Sequence, residues 1–306
     1  MCRKIRFPAA ALLIILCVFT PTAKAQNNML VLQTDFGLKD GAVSAMKGVA
    51  MGVSPNLKLF DLTHEIPAYN IWEAAYRLYQ TASYWPAGTV FVSVVDPGVG
   101  SQRKSIVLKT KTGHFFIGPD NGSFTLVAEQ LGIEAIRQID ETKNRLKNSN
   151  ASYTFHGRDV YAYTAARLAS GVINFGDDIG PLLPNNVVTI NYQQPVFENN
   201  IIKGNIPILD IQYGNIWTNI NSEIFKKLNM NYGDTLQVKI FSKDEKMYED
   251  CMPYSTTFSA VAEGEPLCYI NSLLNLSFAL NMDNFSKKNK VQSGPEWTVI
   301  ISKKSR

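Results

Sequence analysis

The sequence predicts two domains: an α/β N-terminal domain with a mainly parallel sheet, and a smaller all-β, barrel-like C-terminal domain. Strand and helix patterns alternate as far as about Gly180, which is typical of a parallel sheet with helices on both faces. Beyond Gly180, prolines and asparagines interrupt this alternation, and the short strand candidates that follow suggest a barrel or a sandwich. We expect the first domain over residues 26–190 and the second over residues 191–306.

In the first domain the strand patterns are short apolar runs, and they cover Met29–Thr34, Leu57–Leu62, Val90–Val95, Ser105–Thr110 and His114–Ile117. The helical patterns repeat apolar residues every three or four positions, and they cover Gly41–Val53, Ile71–Tyr84, Phe124–Gln130 and Asp159–Leu168. The run Val90–Val95 is rich in valine with little alternation, which predicts a strand buried on both faces.

The second domain is expected to begin after a polar linker, Asn191–Asn205, which contains few helix formers. Its strand candidates are Ile206–Gln212, Ile216–Ile220, Thr235–Phe241, Leu267–Ile270, Leu276–Leu280 and Trp297–Ser302. These runs are short and few helical patterns separate them, so we expect mostly antiparallel pairing.

The first 25 residues have the three parts of a secretory signal peptide. The basic residues at its start are Arg3, Lys4 and Arg6. The apolar run Pro8–Thr20 follows, and Ala23-Lys24-Ala25 supplies small residues at the two positions that a signal peptidase reads. The run is shorter than the ~20 residues that span a bilayer, although an uncleaved membrane anchor is the alternative. We expect cleavage after Ala25 and export to the periplasm.

The signal segment also accounts for the formal net charge of +4, because it holds four of the 30 basic residues and none of the acidic ones. The remaining chain carries 26 basic and 26 acidic residues, so its charge gives no reason to expect nucleic acid or a membrane as a partner. Of the cysteines, Cys251 and Cys268 remain, either as a disulfide or as two buried thiols. Neither has a metal-ligand spacing, and we expect no metal and no other cofactor.

Two aspartates follow predicted strands and precede glycines. Asp35 ends Val31-Leu32-Gln33-Thr34 within the motif TDFG, and Asp96 ends Val92-Ser93-Val94-Val95 within the motif DPGVG. In open parallel sheets ligands bind beyond the carboxyl ends of the strands, where a carboxylate can accept both hydroxyls of a ribose. Each motif alone is equally typical of an ordinary turn.

A histidine at a predicted helix start adds a titratable group to these aspartates. His156 precedes Gly157-Arg158-Asp159, whereas the other histidines, His64 and His114, are expected in a turn and a strand. A helix N-terminus disfavours the imidazolium, so we expect His156 to be neutral. The DPGVG motif is followed by Arg103, a permanent cation.

Taken in order, these motifs resemble those of the S-adenosyl-L-methionine hydroxide adenosyltransferases, relatives of the fluorinase and the chlorinase. The matching motifs span nearly all of the chain after residue 25, and they are Thr34-Asp35-Phe36-Gly37 with Asp40, Asp96-Pro97-Gly98-Val99-Gly100 with Arg103, Gly118-Pro119-Asp120-Asn121-Gly122, Phe155-His156-Gly157-Arg158-Asp159, and Asp210 with Tyr213-Gly214-Asn215 and Thr218-Asn219-Ile220. The resemblance implies hydrolysis of S-adenosyl-L-methionine to adenosine and L-methionine. It further implies a homotrimer whose sites lie between subunits.

The resemblance implies that the catalytic, water-activating residues are Asp96, Arg103 and His156. Among the substrate-binding residues that it implies, Asp35 would hold the ribose hydroxyls. Tyr213 would pack on the adenine and Asn215 would hydrogen-bond its edge, while Tyr69 is implied as a further contact with the substrate.

The methionine part of the substrate would contact a separate set of residues. Asp40 and Asp210 would lie near its amino group, and Ser272 would meet its carboxylate. The chain departs from the family after Ser272, where relatives carry a glycine and a glutamate and this chain has Leu273-Leu274-Asn275. Met282 stands in a second altered stretch, where the backbone would still contact the adenine.

Two other functions are compatible with parts of this pattern. A halide-using adenosyltransferase would need a water-poor halide pocket and an aromatic residue at position 96. A non-catalytic exported protein that binds adenosine compounds would need ribose and adenine recognition alone. The combination of Asp96, Arg103 and His156 favours hydrolysis, because these polar groups suit the orientation and deprotonation of water.

Overall fold

The computed structural model describes residues 27–304 and divides their strands among three sheets. The expected signal peptide, residues 1–25, lies outside this range. Between residues 27 and 304, no helix has both the length and the apolar character needed to cross a membrane.

The first sheet is mixed, with a parallel core. Its seven strands are β1 (Met29–Thr34), β2 (Lys58–Thr63), β3 (Val90–Val94), β4 (Ser105–Thr110), β5 (Phe115–Pro119), β6 (Ile133–Gln138) and β7 (Leu182–Leu183). In the order β2-β1-β3-β5-β4-β6-β7, the first four strands are parallel and the remaining three pair antiparallel. The prediction of a parallel sheet is therefore confirmed for the core alone.

Helices cover both faces of this sheet, as the alternating pattern predicts. They are α1 (Ala42–Val53), α2 (Ile71–Thr81), α3 (Thr125–Leu131) and α4 (Tyr163–Ala169). Leu30 and Leu32 of β1 share one buried cluster with α1 and α4, whereas Val31 shares another with α2 and α3. Because side chains alternate along a strand, this single run of residues supplies two cores.

A glycine allows β5 to approach β3 closely. A Cβ atom at Gly118 would lie 2.3 Å from the carbonyl oxygen of Ser93, far inside van der Waals contact. Gly118 therefore fixes the spacing of two parallel strands just before the loop that carries Asp96.

The second half of the described chain forms two antiparallel sheets. One has the order β10-β11-β15-β14 and the other the order β13-β12-β16-β9-β8. The strands are β8 (Val196–Glu198), β9 (Ile201–Ile206), β10 (Ile208–Asp210), β11 (Asn215–Asn221), β12 (Thr235–Ser242), β13 (Glu245–Pro253), β14 (Pro266–Ile270), β15 (Asn275–Leu280) and β16 (Gly294–Lys303), with short helices α5 (Ser222–Phe225) and α6 (Phe285–Asn289). The sheets share one buried cluster, as in a sandwich. No closed barrel occurs in residues 27–304, so the barrel-like arrangement is not found.

The predicted linker Asn191–Asn205 is wrong over its second half, which contains β8 and most of β9. Asn199 and Asn200 join the two strands with φ angles of 48° and 60°. Asparagine tolerates this left-handed region, and two such residues make a tight hairpin turn. The Asn-Asn pair between Val196-Phe197 and Ile201-Ile202 is the sequence signal of this hairpin.

Other strands differ from prediction for local reasons. The predicted strand Ile206–Gln212 is divided at Pro207, which cannot donate to a ladder, and β10 ends at Asp210. The sequence does not predict β6 and β13, because charged residues interrupt the apolar ones in both strands. Cys251 and Cys268 are both free thiols, and burial raises the pKa of Cys268 to about 12.

The expected domain boundary at residues 190 and 191 falls in the strand-free segment between β7 and β8. Side chains of α2 contact the second half of the chain directly: the indole of Trp72 donates to the carbonyl of Pro207 at 2.9 Å. Ala75, Tyr76 and neighbouring aromatic residues pack with Ile208 in one buried cluster. The two halves of one chain therefore meet through α2.

Candidate active site

A cleft of about 270 Å³ opens at the carboxyl ends of β1 and β3, where parallel sheets bind ligands. Its lining comes from the loops after β1, β2 and β3 and from the segment that leads into α4, and it includes Asp35, Phe36, Ala68, Tyr69, Val94, Asp96, Val99, Thr154, Phe155, His156 and Gly157. The structure thus brings together Asp35, Asp96 and His156, which lie far apart in the sequence.

Asp35 is held by the loop that follows β2. The backbone N–H of Tyr69 donates to Asp35 Oδ2 at 2.9 Å, and Tyr69 adopts a φ of 68°. The Tyr69 ring is 72% exposed beside the cleft. Asp40 lies outside this lining; its Oδ1 accepts from the N–H of Ala42 at 2.9 Å, at the start of α1. Within a single chain, Asp40 therefore contacts the start of α1 and not the first cleft.

Asp96 and Arg103 form a two-bond ion pair behind the cleft. Arg103 Nε donates to Asp96 Oδ1 at 2.8 Å, Nη2 donates to Oδ2, and Nη1 donates to Ser105 Oγ at 3.1 Å. The Arg103 side chain is 11% exposed and the Asp96 side chain is 5% exposed. Burial opposes the charge of Arg103, but the hydrogen bonds to Asp96 and the charges of Tyr161, Asp96 and Glu141 together outweigh burial, so the pKa of Arg103 is raised. Arg103 stays a cation, and Asp96 is fixed in one orientation.

Arg103 is further oriented by Tyr161, whose ring lies 5.7 Å from the guanidinium carbon. The Tyr161 hydroxyl lies 3.2 Å from Ser105 Oγ, which completes a buried polar layer behind the ion pair. Tyr161 and Ser105 were not predicted, because their contact depends on the packing of β4 against the segment that precedes α4.

His156 lies at the base of the same cleft and is 6% exposed. Burial is the main cause that lowers its pKa; Arg103 and Arg145 lower the pKa too, whereas Glu141 and Asp96 oppose the shift. The expected neutral form is therefore favoured, although burial rather than a helix dipole is the leading cause. The backbone from Gly157 to Ala162 forms a π-helical turn before α4.

The remaining predicted residues line a second cleft, of about 790 Å³, in the antiparallel half of the chain. These residues are Asp210, Tyr213, Asn215, Ser272 and Met282. Aromatic side chains, including those of Trp217, Phe258 and Tyr269, complete the lining. A mostly apolar surface with a few amide and carboxylate groups suits a heteroaromatic ring with polar edges.

Two hairpin turns present the polar groups of this second cleft. Asn215 Nδ2 donates to Asp210 Oδ2 at 3.1 Å across the β10–β11 hairpin, and Tyr213 stands 67% exposed at its tip. Gly214 has a φ of 70°, and a Cβ there would lie 2.0 Å from Asn284 Oδ1. Ser272 is exposed at the tip of the β14–β15 hairpin.

The stretch that departs from the family pattern lies beside these turns. Leu274 has a φ of 60° and is 62% exposed, a conformation that favours glycine. Met282 has a φ of 58° and is 83% exposed, so its backbone is accessible from the second cleft. The two clefts have no lining residue in common.

Two charged residues beside His156 were not predicted. Arg145 Nη2 lies 3.3 Å from His156 Nε2 and 2.7 Å from Glu141 Oε2. Their sequence neighbourhood is polar and irregular, which gave no signal of a buried contact. Across residues 27–304, no group of three or more His, Cys, Asp or Glu side chains is placed to hold a metal ion.

Comparison with known proteins assigns both halves of the chain. Residues 30–177 match the model of the SAM hydroxide adenosyltransferase N-terminal domain, and residues 204–298 match that of the C-terminal domain. An (R)-S-adenosyl-L-methionine hydrolase of Methanocaldococcus jannaschii is 38% identical over 85% of this chain and 91% of its own length. A fluorinase of an Actinoplanes species is 24% identical over 90% of this chain and 98% of its own.

A solved structure shows the same fold. It is that of an uncharacterized conserved protein from Thermotoga maritima, which superposes with a TM-score of 0.83 at 34% identity and covers 90% of this chain and 100% of its own.

Proposed function

The chain belongs to the SAM hydroxide adenosyltransferase family, and we propose that it hydrolyses S-adenosyl-L-methionine to adenosine and L-methionine. The oxygen of water forms a bond to the ribose 5′-carbon, the bond from that carbon to the sulfonium sulfur breaks, and one proton is released. The observation that carries this proposal is the Asp96–Arg103 ion pair, which shares a buried polar region with neutral His156.

The difficult part of this reaction is the activation of the nucleophile, not the departure of the leaving group. A sulfonium leaves as a neutral thioether without help from an acid, whereas water is a weak nucleophile that must approach in line with the departing sulfur. Arg103 uses three of its five N–H groups on Asp96 and Ser105, so two remain for an oxygen that gains negative charge. In a site that excludes water, one such preorganised donor typically lowers the activation barrier by ~3–4 kcal/mol.

The remaining groups of the first cleft position the substrate and the water. Asp35, oriented by the backbone of Tyr69, is placed at a strand end where it can accept the two ribose hydroxyls. Neutral His156 can accept a proton from the water or orient it. Asp96 lines the cleft and offers carboxylate lone pairs that Arg103 does not use.

The second cleft offers the groups that adenine and methionine require. Tyr213 presents an exposed ring for stacking, and Asn215 presents an amide for a purine edge. Asp210 can pair with the substrate's ammonium group, and Ser272 can donate to its carboxylate. Met282 would contribute backbone contacts to the adenine.

We further propose that the two clefts form one site between neighbouring subunits of a homotrimer. Each cleft offers part of what the substrate needs, and they have no lining residue in common. Tyr69, Tyr213 and Met282 are exposed in a single subunit, as expected for side chains that a neighbour or a substrate covers. Asp40 would then contact substrate only in the assembled site.

Co-expression of two inactive variants tests the shared site. An Asp35→Ala subunit keeps an intact second cleft, and an Asn215→Ala subunit keeps an intact first cleft. Random mixing in a cyclic trimer restores about a quarter of the sites. If both residues acted from the same chain, every site would stay altered and no activity would return.

Product analysis tests the reaction. Incubation with S-adenosyl-L-methionine should give equal amounts of adenosine and methionine, and excess chloride or fluoride should give no 5′-halo-5′-deoxyadenosine. His156→Ala should lose activity, while His114→Gln serves as the matched control, because His114 contacts Trp85 and Thr112 outside the cleft. Halogenated product, or binding without turnover, would contradict the proposal.

A further inference from the structure

A buried arginine contacts the histidine of the first cleft. Arg145 is 9% exposed, and its Nη2 lies 3.3 Å from His156 Nε2. The same nitrogen donates to Glu141 Oε2 at 2.7 Å, and the guanidinium stacks on Tyr153 with its carbon 4.5 Å from the ring centre. Arg145 is therefore held on two sides while it points at the imidazole.

The contact determines which imidazole nitrogen carries the proton. An arginine has donors only, so an N–H of Arg145 that points at Nε2 requires a lone pair on that nitrogen. Glu141 Oε2 lies 3.7 Å from His156 Nε2, too far to accept a hydrogen bond from it. The proton of a neutral ring then sits on Nδ1, which is buried and has no hydrogen-bond partner among residues 27–304.

We propose that Arg145, oriented by Glu141, is a positioning residue that holds His156 as the neutral Nδ1–H tautomer, so that Arg145 occupies the Nε2 lone pair and His156 does not remove a proton from the nucleophile. The part that concerns the nucleophile rests on the proposed hydrolysis. The proton of the water would then pass to the Asp96 carboxylate, which lines the cleft. As the new bond to the 5′-carbon forms, methionine leaves with the electron pair of the broken carbon–sulfur bond.

The charges around His156 agree with this assignment. Arg145 and Glu141 face the ring from the segment after β6, and Asp96 and Arg103 face it from the loop between β3 and β4. The ring of Tyr161, on the π-helical turn itself, lies 6.4 Å away. Burial and the two arginines lower the pKa of His156 against the two carboxylates, so an added proton on Nε2 is disfavoured.

Nitrogen-15 NMR of histidine-labelled, substrate-free protein tests the tautomer directly. The chain has three histidines, and a His156→Gln variant identifies the signals of this ring. We expect Nδ1 in the protonated range of chemical shift and Nε2 in the unprotonated range at neutral pH. The reverse assignment would overturn the proposal. Because no substrate is present, a protein that failed to hydrolyse S-adenosyl-L-methionine would contradict the proposed function and leave this measurement valid.

Two variants should move the pKa of His156 in opposite directions. Arg145→Met removes a cation and raises that pKa, whereas Glu141→Gln removes an anion, keeps an oxygen for Arg145, and lowers it. Arg145→Lys should retain most of the wild-type behaviour. The matched control is Arg77→Met, which breaks a similar pair, Arg77–Glu73 at 3.0 Å, outside the cleft. Unchanged values, or shifts of one sign in both variants, would refute the role of the pair.

Turnover provides the second readout. Arg145→Met should lower kcat about tenfold with little change in KM, as expected when His156, which lines the cleft, loses its fixed orientation. Wild-type kcat in Arg145→Met would show that Arg145 acts only in packing.

Discussion

Replacement of Arg103 by methionine isolates the contribution of the buried cation. Methionine fills a similar volume but cannot donate, so Asp96 loses two hydrogen bonds and Ser105 loses one. The Asp96 side chain is only 5% exposed, so water replaces these bonds poorly. Removal of one partner from a buried ion pair costs ~3–5 kcal/mol, and loss of one transition-state donor slows turnover by ~10²–10³.

Two assays separate these effects. Thermal unfolding should show a midpoint lower by on the order of 10 °C for a chain of this size. Turnover, measured well below that midpoint and normalised to folded protein, should show the loss in kcat. Arg103→Lys keeps the charge but cannot form the two-bond pair, so its activity should fall between the wild type and the methionine variant.

The affinity for substrate distinguishes catalysis from packing. Arg103 would contact the oxygen that gains charge and not the adenosine or methionine parts of the substrate, so calorimetric binding of S-adenosyl-L-methionine should change much less than kcat. Wild-type turnover in Arg103→Met would refute the reasoning, and so would a loss of binding equal to the loss of turnover.

Three further predictions follow from sequence and structure. Protein from the native cell envelope should begin at Gln26 by N-terminal sequencing, and an intact initiator methionine would contradict export. Gly118→Ala should lower the free energy of unfolding by ~1–3 kcal/mol in urea titrations, because its Cβ would meet the carbonyl oxygen of Ser93 at 2.3 Å; an unchanged midpoint would contradict this. In the native mature protein a maleimide should label Cys251 and leave buried Cys268 unreactive until the protein unfolds, and mass spectrometry would detect any disulfide between them.

The sequence predicts the first cleft well because its geometry follows from a local rule. The carboxyl ends of parallel strands meet at one edge of a sheet, so Asp35 and Asp96 had to lie near each other once both strands were recognised. The prediction holds even though β4, β6 and β7 turn the sheet from parallel to mixed. These antiparallel strands lie beyond β5, on the opposite side of the sheet from β1.

The groups that orient the site depend on contacts distant in sequence. Tyr161 reaches Ser105 over 56 positions, and no local pattern marks either residue. Arg145 lies in a polar segment that resembles an ordinary solvated loop, and its burial follows only from how that segment packs on the π-helical turn. Sequence patterns predict elements and strand ends, whereas such long-range pairs emerge from tertiary packing.

The second half of the described chain shows which strands a hydrophobic pattern predicts and which it does not. Strands with strong apolar runs, such as β12 and β15, were predicted nearly to the residue. The sequence does not predict β13, because charged residues interrupt its apolar ones over Glu245–Pro253 and it pairs along one edge of a sheet. Pairing with β12, rather than its own hydrophobic pattern, makes this segment a strand.

The source of the new oxygen in adenosine tests the central claim most directly. Turnover of S-adenosyl-L-methionine in oxygen-18 water should place one labelled oxygen in the 5′-hydroxyl of adenosine and none in methionine, as in-line attack of water on the 5′-carbon requires. Unlabelled adenosine, label in methionine, or a 5′-halogenated product in the presence of halide would contradict the account.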